Sequence, residues 1–430
     1  MKTNKTFLLL AALLCQRVAA QNPIVPMGVY IADPSSRVAP DGQLYIYGST
    51  DIDTRHYCSP IYHVLSSPDA CQWTLHRNSF EWSETLYAPD VMLRNGTYYL
   101  YYDTPDGSEF VAVSKKPEGP FTDGVRIEGP RQIDPNIFID DDGQAYYFWG
   151  QYSAKGAKMN PDMKTLDLSS VVEGVVTEKE HFFHEGSYVI KRGKYYYYIY
   201  ADISRNRRPT CLGYAMATSP LGPYEYKGII IDNAGCDPDV WNNHGSIVEF
   251  QGQWYVLYHR STHNSHYMRK ACIEPITFNA DGTINEVEMT TQGAGSPLDA
   301  TARIDAARAC LLKGNVRVRR TAEDETREEL GAIHSDDAAA WKYLNFGKGT
   351  RRFDIHLKSQ KGGTVLVHVD APDGKIVGEV NVPAGNGWQT ISTKIQKTKG
   401  IHAVWFEFKG DNVSGDDELF RIDWFRFARS

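Results

Sequence analysis

A hairpin motif recurs five times in the first 260 residues, and it restricts the fold more than any other feature of the chain. Each copy opens on a polar residue, runs through an apolar stretch, turns at a glycine and returns as an aromatic strand. The openings are Asp33, Asp90, Asp134, Glu185 and His244; the turn glycines are Gly42, Gly96, Gly143, Gly193 and Gly252. A tyrosine follows each glycine by three positions: Tyr45, Tyr99, Tyr146, Tyr196 and Tyr255. Asp41-Gly42, Asn95-Gly96 and Asp142-Gly143 are favoured two-residue hairpin turns, because both central residues take positive φ. The flanking runs Tyr98–Tyr102 and Tyr195–Tyr200 are rich in strand formers. Successive copies start 57, 44, 51 and 59 residues apart, the length of a four-stranded blade with its loops. No helical pattern intervenes, which argues against a βαβ barrel. The expectation is an all-β chain beginning with a five-bladed β-propeller. Its five openings would lie on inner strands and converge on one mouth of the central channel.

At 430 residues the chain is too long for that domain alone. Twenty-five of the 26 tyrosines lie before residue 311. The Gly/Ser/Pro-containing stretch Thr291–Pro297 reads as a strand exit or linker just ahead of that break. Beyond it, Thr364–Val369, Ile376–Val382, Ile401–Phe408 and Leu419–Phe427 alternate as short strands, and Pro372-Asp373-Gly374 marks a turn. That pattern fits a β-sandwich. The expected organisation is a signal peptide at 1–20, the propeller at 21–305 and the sandwich at 311–430.

Convergence of Asp33, Asp134 and Glu185 on one channel mouth would supply what glycoside hydrolysis needs. One carboxylic acid protonates the leaving oxygen, and another carboxylate activates water or attacks the sugar. Asp before Pro is also an ordinary turn residue, but turn-making does not account for all three in register with the repeat. The segments Ala32-Asp33-Pro34, Ile133–Gly143 and His184–Arg192 resemble the three signature segments of glycoside hydrolase family 43, over roughly residues 23–300. The resemblance implies a five-bladed propeller and an inverting mechanism. It implies Asp33 as general base, Glu185 as general acid, and Asp134 as the residue that orients the acid and raises its pKa. Like-charge repulsion gives Asp134 a physical means of doing so. An inverting pair is expected roughly 6.5–9.5 Å apart. Asp90 follows Tyr87-Ala88-Pro89 where the family usually has Trp-Ala-Pro-Asp. Tyr87 is therefore a departure in the sugar subsite, and Asp90 reads as structural.

The same resemblance brings in other residues. His244 matches a channel histidine near a calcium or a water; since calcium prefers oxygen ligands, contact through water is the expectation, with a hydrogen-bonded core histidine as the alternative. Arg260 resembles a sugar-contacting arginine, the alternative being an ion pair that closes a blade. Trp82 and Trp149, with Tyr87, are candidate stacking platforms, although aromatics of this kind often serve packing. His259, His263 and His266 lack the partners of a zinc motif. Arg205-Asn206-Arg207-Arg208 reads as a solvated loop. In the C-terminal part, Trp341–Gly347 and Phe420–Phe425 look like carbohydrate-binding module family 6. That implies a jelly-roll sandwich, often with a structural calcium, for which Asp423 is the candidate ligand. Sugar binding and a buttressing role both stand as readings, and Trp341 and Trp405 fit core positions.

Lys2, Lys5, the apolar run Phe7–Leu14 and the small residues Val18-Ala19-Ala20 read as a secretory signal, cut near Ala20-Gln21. The run is too short to span a membrane. The mature chain is expected to be secreted or periplasmic. Leu14 before Cys15 is a poor lipobox. Six cysteines remain after the signal, and an oxidising compartment permits disulfides; Cys58 and Cys71 are near enough in sequence for a local pair. A net charge of −7 gives no field for nucleic acid or anionic membrane. The partner expected is a carbohydrate substrate, and the chemistry requires no cofactor. These readings point to an exo-acting α-L-arabinofuranosidase on plant polysaccharide. The alternatives are a β-xylosidase or exo-galactanase, an inactive carbohydrate-binding propeller, and a retaining invertase-like enzyme, for whose nucleophile no motif is found.

Overall fold

The computed structural model describes residues 21–385, 387–411 and 417–429; the signal-peptide reading falls outside them. Five antiparallel sheets follow one another along the chain. Blade one is β1–β4 (Ile31–Val38, Leu44–Thr50, Ser59–Ser67, Thr74–Leu86) and blade two is β5–β8 (Asp90–Arg94, Thr97–Asp103, Ser108–Ser114, Thr122–Arg131). Blade three is β9–β12 (Asn136–Ile139, Ala145–Trp149, Ser153–Met159, Leu166–Thr177). Blade four is β13–β16 (Phe183–Arg192, Tyr195–Asp202, Cys211–Ala217, Glu225–Asp232), and blade five is β17–β19 (Ser246–Phe250, Gln253–Thr262, Ser265–Ile276). The first strand of each sheet carries, or directly follows, one of the five motif openings, and each turn glycine joins it to the second strand.

The tyrosines of the motif explain the repeat. They pack into the seams between neighbouring blades, where apolar side chains from two sheets form a shared core. Tyr45 packs with Leu100 and Tyr102 between blades one and two, and Tyr146 with Tyr198 between blades three and four. Separate cores fill the seams two–three and four–five. A fifth, with Ile31 and Leu44 beside Val248, Leu257 and Ile273, joins blade five to blade one. The ring is therefore closed by packing. The segment before β1 latches it: Ile24 N–H donates to Ala271 O (2.9 Å), and the Asn22 amide accepts from Ile273 N (2.9 Å) and donates to Ile273 O (2.9 Å). Asn22 so acts as a partial outer strand of the three-stranded fifth blade.

The second body is a sandwich of two six-stranded sheets. Its strands are β20–β25 (Leu298–Asp299, Ile304–Asp305, Leu311–Lys313, Arg317–Arg320, Glu328–Gly331, Ala338–Asn345) and β26–β31 (Thr350–Ser359, Gly363–Val369, Lys375–Val382, Trp388–Thr398, Ile401–Lys409, Phe420–Ala428). Trp341 lies at its centre against Phe406 and Phe425. The two bodies meet through a buried polar network. Glu328 of β24 accepts from Tyr30 Oη (2.7 Å) and is ion-paired with Lys270 of β19. The β18–β19 turn reaches the sandwich as well, His263 N–H donating to Val318 O (2.7 Å) and Arg320 N–H to His263 Nε2 (2.9 Å). No helix among the described residues is long and apolar enough to cross a membrane. Cys58, Cys71, Cys211, Cys236, Cys272 and Cys310 are free thiols, so the expected Cys58–Cys71 bridge is not formed.

Candidate active site

Bulges aim the carboxylates. The β1–β2 pairing slips between Ala32 and Ser35, and Asp33 takes φ 51°. Asp134, also before a proline, takes φ 60° just ahead of β9. Left-handed backbone at a non-glycine costs of order 1–3 kcal/mol and persists only where surrounding contacts impose it. The β13–β14 pairing slips on both sides of Glu185. Its neighbour Gly186 has φ 84°, and a Cβ there would come within 3.0 Å of the His244 ring. These irregularities turn side chains out of the regular pleat and into the channel mouth.

Asp33, Asp134, Glu185 and His244, drawn from four blades, line one cavity of about 350 Å³. Asp33 is buried and held on every side: Arg269 Nη1 donates to Oδ1 (2.8 Å), Ser49 Oγ to Oδ2 (2.6 Å), and its own N–H to His259 Nδ1 (3.2 Å). Burial pushes the carboxyl up, but the Arg269 charge, with His244 and His259, outweighs it and leaves Asp33 below its ordinary value. Burial drives His259 down to about 3, so its ring is neutral and Nδ1 is free to accept. Asp134 is the opposite case. Burial and then the charges of Glu185, Asp103 and Asp33 raise it well above the carboxylate range, against one bond from Gly186 N–H (3.0 Å). Glu185 accepts from the neutral amides Gln151 Nε2 (2.9 Å) and Asn242 Nδ2 (3.3 Å). One carboxylate is thus held ionised by a cation, and a second, carrying high proton affinity, lies beside a third.

Tyr87 lines the cavity. The other expected sugar contacts do not. Arg260 is buried in the blade-five seam, donating to Tyr258 Oη and to Thr290 O (2.7 Å). Trp149 fills the seam between blades two and three, and Trp82 packs with Phe80, Tyr102 and Phe110 on the outermost strand of blade one. The arginine in the cavity is Arg269. Its Nε and Nη2 also grip both oxygens of Asp51 (2.9 Å each), and Nη2 reaches Cys58 Sγ (3.4 Å). Gln151, Asn242, Tyr57, Tyr152 and Trp241 also line it; Asn242 stands two residues before the His244 opening, and the sequence pattern did not single out the other four.

The calcium expectation meets a different arrangement. On the channel axis stands the guanidinium of Arg37. It donates to Asp90 Oδ2 (2.5 Å), Val91 O (2.7 Å), Ser36 O (2.9 Å), Ile137 O (3.1 Å) and Tyr188 Oη (2.5 Å), which come from four blades. Asp90 also accepts from Ser35, Asn136 and the N–H groups of Val91 and Ile137. Asp90 Oδ2 and the carbonyls of Ser36, Val91 and Ile137 are thus engaged by a side-chain cation, and the carboxylate nearest His244, Asp33 (3.7 Å), is engaged by Arg269. His244 therefore does not fit as a calcium neighbour. Nor does Asp423, whose two oxygens pair with Arg303 (3.2 Å) and Arg327 (2.8 Å). Among the described residues no cluster of three or more His, Cys, Asp or Glu side chains is arranged to hold a metal.

Residues 20–284 match the family described as Glycosyl hydrolases family 43. The chain belongs to this family. It is a glycoside hydrolase, and residues 309–429 match Carbohydrate binding module (family 6). A xylosidase/arabinosidase of Thermoclostridium stercorarium is 30% identical over 90% of this chain and 96% of its own length. An arabinoxylan arabinofuranohydrolase of Bacillus subtilis (strain 168) is 28% identical over 97% of this chain and 94% of its own. The crystal structure of a Bacillus subtilis family 43 arabinoxylan arabinofuranohydrolase in complex with cellotetraose superposes with a TM-score of 0.54 at 27% identity, over 95% of this chain and 97% of that one. The likeness thus extends through both bodies.

Proposed function

We propose that this enzyme is a secreted, exo-acting, inverting α-L-arabinofuranosidase that removes arabinose from xylan-type polysaccharide or its fragments. The observation carrying the reading is the electrostatic division among the three carboxylates at the channel mouth. Asp33, kept ionised by Arg269, takes a proton from water as the water oxygen bonds to the anomeric carbon. Glu185 gives its proton to the glycosidic oxygen as the bond from that carbon breaks, and the configuration inverts. Asp134, which accepts from Gly186 N–H next to the acid, orients Glu185. A cavity of about 350 Å³ lies at the small end of ligand pockets, which supports recognition of a terminal sugar. The names of the two relatives support arabinose and xylose as the sugars, and the first keeps β-xylosidase as the second reading.

The sandwich offers a second sugar surface, a cleft of about 250 Å³ where Trp388, half-exposed, stands beside His356 and Asp423. Polymer retention there is part of the same proposal.

Hydrolysis of 4-nitrophenyl α-L-arabinofuranoside, β-D-xylopyranoside and β-D-galactopyranoside, beside arabinoxylan, tests the reading. The arabinoside and arabinoxylan are expected to be the substrates, and Glu185→Ala and Asp33→Ala to lose roughly 10²–10⁴-fold in turnover while staying folded. Near-native turnover in either variant contradicts its role. Silence of the wild type on every substrate favours a binding propeller.

A further inference from the structure

Behind the carboxylates lining the cavity lie two more acids that the mechanism does not use. Asp103 closes β6 and Glu109 is the second residue of β7; they are direct partners in the antiparallel pairing. Side chains of such partners project to the same face, with Cβ atoms about 4.5–5.5 Å apart. Both residues are completely buried, with none of their surface exposed. Each uses one oxygen: Asp103 Oδ1 accepts from Asp134 N–H (3.2 Å), and Glu109 Oε2 from Tyr147 Oη (2.7 Å). Each leaves the other oxygen, Asp103 Oδ2 and Glu109 Oε1, buried with no donor. Two facing carboxylates, each with one bare oxygen, would be strongly destabilising if both were ionised, and one proton shared between the bare oxygens would remove that cost.

We infer that Asp103 and Glu109 share one proton and act as a positioning pair for Asp134, and through it for Glu185. The pair holds the left-handed backbone of Asp134 by its N–H and places one negative charge behind it. Asp103 touches the cavity wall a second time, its carbonyl accepting from Tyr87 N–H (3.1 Å). Burial first, then Glu109 for Asp103, push these carboxyls well above the carboxylate range; Asp134 adds to Glu109. The other groups facing the pair are Asp33, Tyr62, Tyr87 and Tyr147 around Asp103, and Lys155 near Glu109. Lys155 is the one cation among them, and it lowers Glu109 without reversing the direction. The inference rests on the reading of Asp134 and Glu185 given above.

Amide variants separate the roles. Asp103→Asn and Glu109→Gln each replace the shared O–H by an N–H donor and keep one negative charge in the pair. The double variant keeps the hydrogen bonds and removes the charge. The basic limb of the kcat/KM–pH profile, set by the acid, is expected to stay in place in each single variant. In the double variant it is expected to move to lower pH by on the order of one unit. Infrared difference spectra at neutral pH are expected to show a protonated carboxyl band in the wild type that the double variant loses. No lost band overturns the shared proton even if the double variant is inactive or poorly folded, provided Glu109→Gln loses none either. A lost band with an unmoved basic limb overturns the positioning role. Neither result touches the Glu185→Ala test, so failure of the pair and failure of the mechanism are told apart.

Discussion

Arg269→Met puts the electrostatics of the site to its hardest test. The wild-type guanidinium donates to Asp33 Oδ1 (2.8 Å) and to both oxygens of Asp51 (2.9 Å each), and all three side chains are buried. Methionine keeps most of the length and removes the counter-ion from two buried carboxylates at once. A unit charge about 4 Å away at an effective dielectric of about 20 is worth about 4 kcal/mol, or about three pH units, and arginines beside carboxylates produce shifts of about 1–3 units. In the wild type, burial raises Asp33 and Arg269, with the two histidines, more than reverses it, leaving the carboxyl below 3.8. Without Arg269 burial is the larger effect. The acid limb of kcat/KM is expected to move to higher pH by about 1–3 units, with about tenfold less activity per unit on its acid side. The stability sign follows from the same shift. A carboxyl depressed in the folded state stabilises above its unfolded pKa, about 3.9, and that contribution is lost as pH falls through the folded pKa; the variant lacks it at neutral pH as well. Removing one partner of a buried ion pair costs about 3–5 kcal/mol, so the melting temperature falls by several degrees. The assay is the pH profile of arabinoside hydrolysis, run below the variant's melting temperature and checked by circular dichroism. Arg269→Lys, which keeps the charge and loses the fork onto Asp51, is expected to bring the acid limb most of the way back. A folded Arg269→Met enzyme with its acid limb unmoved refutes the argument that Asp33 is the titrating base and Arg269 its counter-ion.

Two other outcomes are expected. Arg37→Met is expected to lower the melting temperature by an amount corresponding to about 3–5 kcal/mol, because Asp90 and three carbonyls lose their donor on the channel axis, whereas EDTA leaves the wild-type melt in place; a melt lowered by EDTA and restored by calcium contradicts the poor fit of these residues to a metal. Deleting residues 311–430 is expected to cut soluble yield and melting temperature far more than the kcat of whatever folds; a stable truncation with full arabinoside activity and lost retention on insoluble xylan would make the sandwich a detachable binding module.

What the sequence discloses here follows from what local pattern encodes. The five openings and turns were legible because strand alternation has a period of two and hairpin turns demand residues that tolerate positive φ. The three carboxylates followed, since each opens an inner strand. The arginine was not legible. Arg260 and Arg269 lie on adjacent antiparallel strands, and Arg260 stands opposite Lys270 while Ser261 stands opposite Arg269. Which of the two faces the channel depends on that register and on the face each strand presents, which the spacing of arginines in the chain does not record. Trp149 and Gln151 pose the same problem over a shorter distance. The tryptophan ends β10 pointing into a seam, and the glutamine just beyond the strand reaches Glu185 (2.9 Å). The cysteine pair failed for a related reason: closeness along the chain says nothing of the Cβ–Cβ geometry that a disulfide requires.

The alternation that hid Arg269 also explains how the second body bears on the first. Consecutive residues of a strand face opposite ways, and β19 places Arg269 toward Asp33 and Lys270 toward Glu328 of the sandwich. Glu328 is buried, and although burial raises it, Lys270 and then His263 and Tyr30 hold it ionised. The strand that carries the counter-ion of Asp33 is therefore clamped from its other side by a charge belonging to the sandwich. Removing the sandwich would leave the buried Lys270 without its partner, directly beside Arg269 in sequence. A module whose only task was to hold polymer would have no need of a buried ion pair at that position; the contact makes the sandwich part of what stabilises the propeller at β19.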